Sequence, residues 1–177
     1  MITSTAVFST ALTDAKKVFT STSTGLTGGT EQLSAITTMM FCNTGLPSLT
    51  NELTNDVQIN VYLVKKGQTP NSTNQVVNRL NIPASETVMF NEERIILDNG
   101  DMVYVSTSTP DIETVGSFTP NANYTIASVG DTDFTLLGAS SNTAGVTFTA
   151  SSDGTGNGTT GTAYRNLLSV TVSSLPV

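Results

Sequence analysis

Polar and apolar residues alternate along much of the chain, with the period of two that is typical of strands half-buried against a core. Segments with this pattern are KKVFTSTST, SAITTMMFCN, DVQINVYLV, DMVYVSTS and NLLSVTVSSLPV. In DVQINVYLV, the residues that share one face are Val57, Ile59, Val61 and Leu63. The apolar spacing of a helix is scarce. The pattern therefore predicts an all-β fold, an antiparallel β-sandwich.

The segment ERIILDNGDMVYV contains a strong turn signal. Asn99-Gly100 lies between two apolar runs, which predicts a tight hairpin whose central residues have positive φ. Asp98 and Asp101 flank the pair and can bond turn backbone. A calcium loop is the alternative interpretation of DNGD, and the turn is favoured. NTGLPSLTNELTND and KKGQTPNSTNQ are predicted loops, with a short turn near Asn91 to Arg94.

The last apolar run, in which Leu168, Val170 and Val172 alternate with Ser and Thr, has no hairpin partner of its own. We expect it to pair with the strand around Val103, since consecutive strands usually pair. This predicts an arm (1–15), a sandwich (16–113 plus 165–177) and an inserted β-module (114–164) before the last strand. Replacing Gly116 to Ala163 by a short turn should leave the sandwich folded, since loop-closure cost grows slowly with length.

Three strands are predicted inside the insertion, in NYTIASV, DFTLLGA and GVTFTA. The glycine-rich segment SDGTGNGTTGTA that follows is predicted to be a loop or a thin glycine-bearing strand. The insertion has few large apolar residues, so its core is small. We expect the module to lean on the sandwich or on a neighbouring chain.

Composition restricts the chemistry. The 177 residues include no His, no Trp and one Cys, so the commonest general base, a Ser-His-Asp triad, a zinc cluster of Cys and His, and an internal disulfide are all excluded. Thr and Ser together exceed a quarter of the chain, the net charge is −7, and only seven Lys and Arg occur. Scattered cations in an acidic chain argue against nucleic-acid binding. No apolar run approaches the ~20 residues of a membrane helix, and the lysines of MITSTAVFSTALTDAKK follow the apolar part, unlike a secretory signal.

The segment beginning at Asp153 matches the first half of an EF-hand loop. Asp153, Thr155, Asn157 and Gly158 occupy positions 1, 3, 5 and 6, but Tyr164 stands at position 12 where a Glu is needed. A flexible glycine loop is the favoured interpretation, and folding should not need a metal.

Two carboxylates and one thiol are further candidates. Asp131 and Asp133 could act as acid and base or bind a metal, although strand-end turns are favoured. Cys42 is expected to be a buried structural thiol, since no His can activate it. We therefore assign no catalytic, cofactor-binding or metal-ligating residue.

Other motifs are sequons at Asn71, Asn123 and Asn157, which occur by chance in a Thr-rich chain, and two doublets, Lys16-Lys17 and Lys65-Lys66, expected at solvated strand ends.

The inserted segment resembles a module of virion proteins from tailed bacteriophages, notably marine and cyanobacterial ones. The residues that carry the resemblance are Tyr124, Ile126, Val129, Gly130, Thr132, Asp133, Phe134, Gly138, Ala139, Asn142, Thr143, Gly145, Phe148, Thr149, Ala150, Gly154, Gly156, Gly158, Thr162 and Ala163. VFTSTSTG, MMFCNTG, VQINVYLV and IILDNGD are similar to small β-sandwich structural proteins of the same phages. The resemblance implies no catalytic residues.

Three functions remain as hypotheses. The favoured one is a structural virion protein made in the host cytoplasm, a capsid decoration or neck-tail accessory protein. Its expected partners are capsid, neck or tail subunits and further copies of itself, with no nucleic acid, membrane or cofactor. The alternative is a host-glycan binding module of a fibre or tail. An enzyme, such as a glycan hydrolase with two carboxylates, has the least support.

Overall fold

A computed structural model describes residues 2–7, 15–22, 33–45, 56–92, 94–107, 112–165 and 167–176. Within these residues the all-β prediction is confirmed, because three antiparallel sheets and one short 3-10 helix make up the regular structure. The strands are β1 (Ile2–Val7), β2 (Lys16–Thr20), β3 (Ser34–Asn43), β4 (Val57–Val64), β5 (Gln75–Ile82), β6 (Thr87–Phe90), β7 (Ile95–Leu97), β8 (Met102–Thr107), β9 (Ile112–Thr114), β10 (Asn123–Ser128), β11 (Thr147–Thr149), β12 (Thr162–Arg165) and β13 (Leu168–Pro176).

Two of the sheets form the sandwich. One has the order β1-β13-β3-β6, and β7 pairs with β3 alongside β6. None of the residues in these five strands is Asp, Glu, Lys or Arg, so we call it the neutral sheet. The other, the cationic sheet, has the order β2-β8-β4-β5, and its charged strand residues are Lys16, Lys17 and Arg79. Their inner faces share one hydrophobic core.

The position of β13 differs from the prediction. The strand lies in the neutral sheet between β1 and β3, whereas the strand around Val103 is β8 of the cationic sheet. Leu168, Val170 and Val172 do point into the sandwich core. Alternation identifies the buried face of a strand, but both sheets of a sandwich bury the same pattern, so it cannot say to which sheet a strand belongs.

The predicted hairpin at Asn99-Gly100 is also wrong. A turn is present, since the amide of Asp101 donates to the carbonyl of Asp98 (3.0 Å), and Gly100 has φ of +92°. However, β7 before it pairs with β3 of the neutral sheet, and β8 after it pairs with β2 and β4. The turn therefore connects strands of two different sheets. Such a connection and a hairpin both have an apolar run on each side of the turn, so this pattern does not distinguish them.

The expected N-terminal arm needs a correction as well, because Ile2–Val7 forms β1 and pairs with β13. Residues 8–14 of that arm, residues 46–55 of the predicted loop after β3, and residue 93 of the predicted turn lie outside the described residues. The loop between β4 and β5 is confirmed. The strands β5 and β6 were not predicted from the sequence. β5 contains a bulge at Arg79, where φ is +53° and the amide donates to Asn60 Oδ1 (3.0 Å).

The module, residues 112–165, forms the third sheet in the order β11-β10-β12-β9. It has its own core, whose largest members are the rings of Phe118, Tyr124, Phe134 and Phe148, and the centroids of the rings in contact are 5.0 to 6.1 Å apart. The strands predicted in NYTIASV and GVTFTA are confirmed as β10 and β11.

The strand predicted in DFTLLGA is wrong, because Phe134–Leu137 is a 3-10 helix. Asp133 caps its N-terminus, and Gly138 ends it in the left-handed conformation with φ of +106°. Side chains three residues apart superimpose in a 3-10 helix, so Phe134 and Leu137 enter the core together while Leu136 remains 70% exposed.

We expect the sandwich to fold without the module. Along the chain, the third sheet begins with β9 and ends with β12. These two strands are antiparallel neighbours, and Ile112 pairs with Tyr164. The two ends of the module are therefore about 5 Å apart, and a short Gly-Ser linker can replace residues 112–165. Circular dichroism should show a soluble β-protein with one cooperative melting transition; an unfolded product would contradict an independent sandwich.

Candidate functional site

The carboxylate of Asp131 connects two distant parts of the module. Its Oδ1 accepts hydrogen bonds from the amides of Thr159 and Thr160 (2.8 Å each) and from Thr160 Oγ1 (2.8 Å). Its Oδ2 accepts from Thr159 Oγ1 (3.0 Å). These bonds, those from the amides above all, hold the pKa of Asp131 well below its usual range. Asp131 is therefore ionised at neutral pH and fastens the turn after β10 to the glycine-rich loop.

Asp133 binds a different set of partners. Its Oδ1 accepts from the Thr135 hydroxyl (2.6 Å), from Asn142 Nδ2 (2.8 Å) and from the Thr135 amide (3.0 Å). The Thr135 hydroxyl and the Asn142 amide lower the pKa of Asp133. Asn142 Oδ1 in turn accepts from the Phe134 amide (2.6 Å). The two carboxylates proposed as an acid–base pair thus each stabilise backbone, and neither has the raised pKa of a general acid.

The residues that matched half of an EF-hand loop bind different neighbours. Asp153 Oδ1 accepts from the Thr155 amide (2.9 Å), which lowers the pKa of Asp153. The side chain of Asn157 binds the backbone of Asp133 at both ends, donating to its carbonyl (2.7 Å) and accepting from its amide (3.3 Å). The glycine-rich segment is therefore a hydrogen-bonded loop packed against the 3-10 helix. Among the described residues, no group of three or more His, Cys, Asp or Glu could hold a metal ion.

A buried tyrosine in the module core links three strands. Tyr124 Oη donates to Glu113 Oε2 (2.6 Å) and accepts from the Thr119 amide (2.9 Å). Burial and the neighbouring Glu113 carboxylate raise the pKa of Tyr124 to about 12. Glu113 also pairs with Arg165 on β12 (3.4 Å), so these side chains link β9, β10 and β12.

The module is expected to lose stability in acid before the sandwich does. The folded pKa values of Asp131, Asp133 and Asp153 lie below those of the unfolded chain, where Asp titrates near 3.9. The stability that these carboxylates contribute is therefore complete above that value and is lost as the pH falls further. Hydrogen exchange of residues 112–165 at pH values between 7 and 2 would measure this. Asp131→Asn should flatten the dependence, whereas a sandwich that opens first would contradict it.

Tyr124→Phe is expected to destabilise the module at neutral pH. The substitution leaves the Thr119 amide without its acceptor inside the fold, which costs about 1–3 kcal/mol. Because the folded pKa is raised, the tyrosine's contribution is complete below the unfolded pKa near 10 and is lost as the pH rises through 12. Thermal melting should therefore show that the wild type is destabilised between these values. In the Tyr124→Phe variant, this loss of thermal stability with rising pH should be smaller. A variant that loses as much stability at alkaline pH as the wild type would contradict the assignment of the effect to Tyr124.

Three charged residues of the sandwich form a small ion-pair cluster. Lys65 Nζ lies 2.9 Å from Asp101 Oδ2 and 3.0 Å from Asp98 Oδ2. Burial favours a higher pKa for Asp101, but its bonds to Lys65 and to the Lys66 amide outweigh that effect and lower the pKa. The two aspartates of the DNGD sequence thus bind a lysine. Lys16 and Lys17 are exposed at the start of β2, as expected.

The sequon asparagines lie in loops or at strand ends. Asn71 Oδ1 accepts from the Thr73 amide (2.8 Å), and Asn123 Oδ1 accepts from the Thr149 hydroxyl (2.8 Å). Cys42 is only partly buried, contrary to the expectation of a core thiol. It alternates with the core residue Phe41 and therefore lies on the outward side of the neutral sheet.

The outward side of the neutral sheet carries no charged strand residue, and we call it the neutral face. By alternation with the core residues, its members are Ala35, Thr38, Met40, Cys42, Thr87, Met89, Ile96, Ser169, Thr171, Ser173 and Leu175. Met89, Ile96 and Leu175 are 50%, 51% and 55% exposed. Exposed apolar side chains that share one contiguous surface mark interaction sites.

An apolar groove continues the neutral face around its β6 edge. It lies between the open edges of the two sheets and has a volume of about 470 Å³. Its lining residues are Met39, Val76, Val77, Met89, Phe90, Asn91, Glu92 and Ile95. The groove adds exposed apolar area from Val76 and Phe90 to the same side of the molecule.

A second groove lies where the module meets the sandwich. Its residues are Thr44, Thr119, Pro120, Asn121, Ala122, Asn123, Arg165 and Leu167. The amide and hydroxyl groups could bind a sugar, but none of these lining residues is aromatic.

No family model matches the chain, and neither a curated protein nor a solved structure matches it. None of the described residues forms a helix long and apolar enough to cross a membrane. The neutral face was not predicted from the sequence, although the uncharged runs in ITSTAV, SAITTMMFCN and LSVTVSSLP are a visible signal.

Proposed function

We propose that this chain is a structural virion protein of a tailed bacteriophage, acting through protein–protein contacts as a capsid decoration or a neck-tail accessory protein. The observation that carries the proposal is the neutral face. A chain with a net charge of −7 keeps five neighbouring strands free of charge and exposes Met89, Ile96 and Leu175 on them. Depletion of charge and enrichment of Met are features of interface cores.

The chemistry of the module supports the same proposal. Asp131 and Asp133, the candidates for catalysis, and Asp153, the candidate for calcium binding, each accept hydrogen bonds from the backbone or from hydroxyls of the module itself. Bonds of this kind make a compact surface element rigid, and rigidity suits a part that is repeated on a particle. The resemblance of this segment to phage virion modules gives the proposal its biological setting, with synthesis in the host cytoplasm and assembly into the virion.

The test is the composition of purified particles. Mass spectrometry of particles from the virus that encodes this chain should detect it at a fixed ratio to the major capsid subunit. Electron microscopy of the same particles should place it on the head, neck or tail. A chain that is abundant in infected cells and missing from purified particles would overturn the proposal.

The glycan-binding alternative has a direct test on the isolated chain. Binding to a panel of host surface glycans, lost on substitution of Asn121 or Asn123 in the groove beside the module, would replace the structural proposal by a receptor-binding one. The expected result is no binding, since a sugar ring commonly packs against an aromatic side chain and the groove provides none.

A further inference from the structure

We infer that the neutral face is covered by a second copy of the same chain, so that two sandwiches pack face to face as a two-fold dimer. The inference deepens the proposed function by naming the partner, and its structural setting rests on that function. It follows from the charge, the size and the surface shape of the face.

The charge of the chain selects the surface through which two copies can meet. Each copy carries −7, so like charges repel when two copies approach through most surfaces. The cationic sheet carries Lys16, Lys17 and Arg79, which two copies would also bring together in a two-fold contact. The neutral face brings no charged strand residue against its own copy. Electrostatic repulsion between two copies is therefore smallest when they associate through the neutral face.

The size of the face fits a stable dimer. The neutral sheet is four strands wide, and its longest strands, β3 and β13, have ten and nine residues. With strands about 4.8 Å apart and a rise of about 3.4 Å per residue, the face covers on the order of 600 Å². A standard interface buries about 800 Å² of accessible surface per partner, and projecting side chains give a flat face more accessible area than its outline.

The surface shape of the neutral face suits contact with the same face of a second copy. Met89, Ile96 and Leu175 project near its β6 edge, its β7 edge and one end of β13. Between them lie the small side chains of Thr38 and Ser173, which pair across β3 and β13. A two-fold axis makes each contact occur twice, so projections of one copy can rest on the small centre of the other.

Packing through the face is favoured over pairing through the β6–β7 edge or the β5 edge. The free edge beside β3 consists of two short strands, β6 with four residues and β7 with three. The β5 edge of the other sheet has a bulge at Arg79. Short and bulged edge strands resist edge-to-edge pairing, whereas the face has neither protection.

The experiment compares two substitutions that are matched in exposure and position. Met89 lies on the edge strand β6 of the neutral sheet and Ile112 on the edge strand β9 of the module, and each is 50% exposed. The molar mass of the full-length chain is measured by light scattering and sedimentation over a wide concentration range. We expect a wild type of twice the mass of one chain, a monomeric Met89→Lys variant and a dimeric Ile112→Lys variant.

Salt dependence gives a second readout. A contact between neutral faces should persist or strengthen as salt rises, since salt screens the repulsion between two acidic copies. A dimer held by ion pairs would weaken. Circular dichroism establishes that each variant is folded, and Ile96→Lys, at a position 51% exposed on β7, replaces Met89→Lys if the latter does not fold.

Three results would overturn the inference: a wild type that is monomeric throughout, a dimer that survives Met89→Lys and Ile96→Lys, or a dimer that Ile112→Lys also disrupts. These outcomes are separate from a failure of the proposed function. The dimer is measured on isolated protein, whereas the virion role is measured on particles. A monomer found in particles would indicate that another virion subunit covers the neutral face.

Discussion

Replacing Phe134 with Ala is expected to unfold the module while the sandwich remains folded. Phe134 is fully buried, and its ring centroid lies 5.5 Å from that of Phe148 and 6.1 Å from that of Phe118. Removing a buried Phe side chain costs about 3–5 kcal/mol. A core of this size rarely supplies more than about 3–5 kcal/mol of net stability. The loss is therefore as large as the whole free energy of unfolding of the module.

Hydrogen exchange followed by mass spectrometry tests this expectation segment by segment. Peptides from residues 112–165 should lose protection, and peptides from β3, β4 and β8 should keep it. The control is Leu136→Ala, in the same 3-10 helix but 70% exposed, which should change little. Loss of protection in both parts would show that the module and the sandwich fold as one unit, and unchanged protection would show a larger module core than we infer.

Gly130→Ala is expected to be the most damaging glycine substitution in the module. Gly130 has φ of +55°, and a Cβ at this position would lie 2.7 Å from the carbonyl carbon and 2.8 Å from the carbonyl oxygen of Thr160. The amide and hydroxyl of Thr160 both bind Asp131, so this backbone cannot move without breaking those bonds. We expect a loss of roughly 3 kcal/mol or more, combining the left-handed backbone with overpacking.

Gly156→Ala is the matched control. Gly156 also has positive φ, +83°, but no atom lies within 4 Å of the position of its Cβ. It should therefore show the backbone cost alone, about 1–2 kcal/mol. Urea titration of both variants, monitored by exchange in the module, separates the two contributions. Equal losses would mean that the Thr160 contact is not a constraint.

Local patterns in the sequence predict local structure well in this fold. Alternation located β2, β3, β4, β8 and β13, because each has one face in the core. It missed β5, where the bulge at Arg79 breaks the period of two, and it failed in DFTLLGA, where Asp133 and Gly138 cap a 3-10 helix. In that segment capping, which depends on side-chain bonds, outweighs strand propensity.

Long-range arrangement was not predictable from the same patterns. Asp131 and Thr159 are 28 residues apart, and no local signal indicates that one binds the other. The assignment of β13 to the neutral sheet depends on pairing with β1 and β3, while its own sequence fits either sheet. The uncharged segments of the neutral face are visible in the sequence. They form one surface only because they are neighbours in the sheet, and the sequence does not show that they are.

The strand order of the neutral sheet also has a consequence for synthesis on the ribosome. The pairing partner of β1 in the described structure is β13, more than 160 residues later in the chain, and β3 pairs along its full length with β13 as well. The module, by contrast, is continuous from 112 to 165 and makes its sheet from its own residues. The module can therefore fold while the chain is still growing, whereas β1 and one side of β3 stay unpaired until β13 emerges. Contacts between such distant segments form slowly, so the nascent chain exposes these uncharged strands for longer than the described strands of the other two sheets.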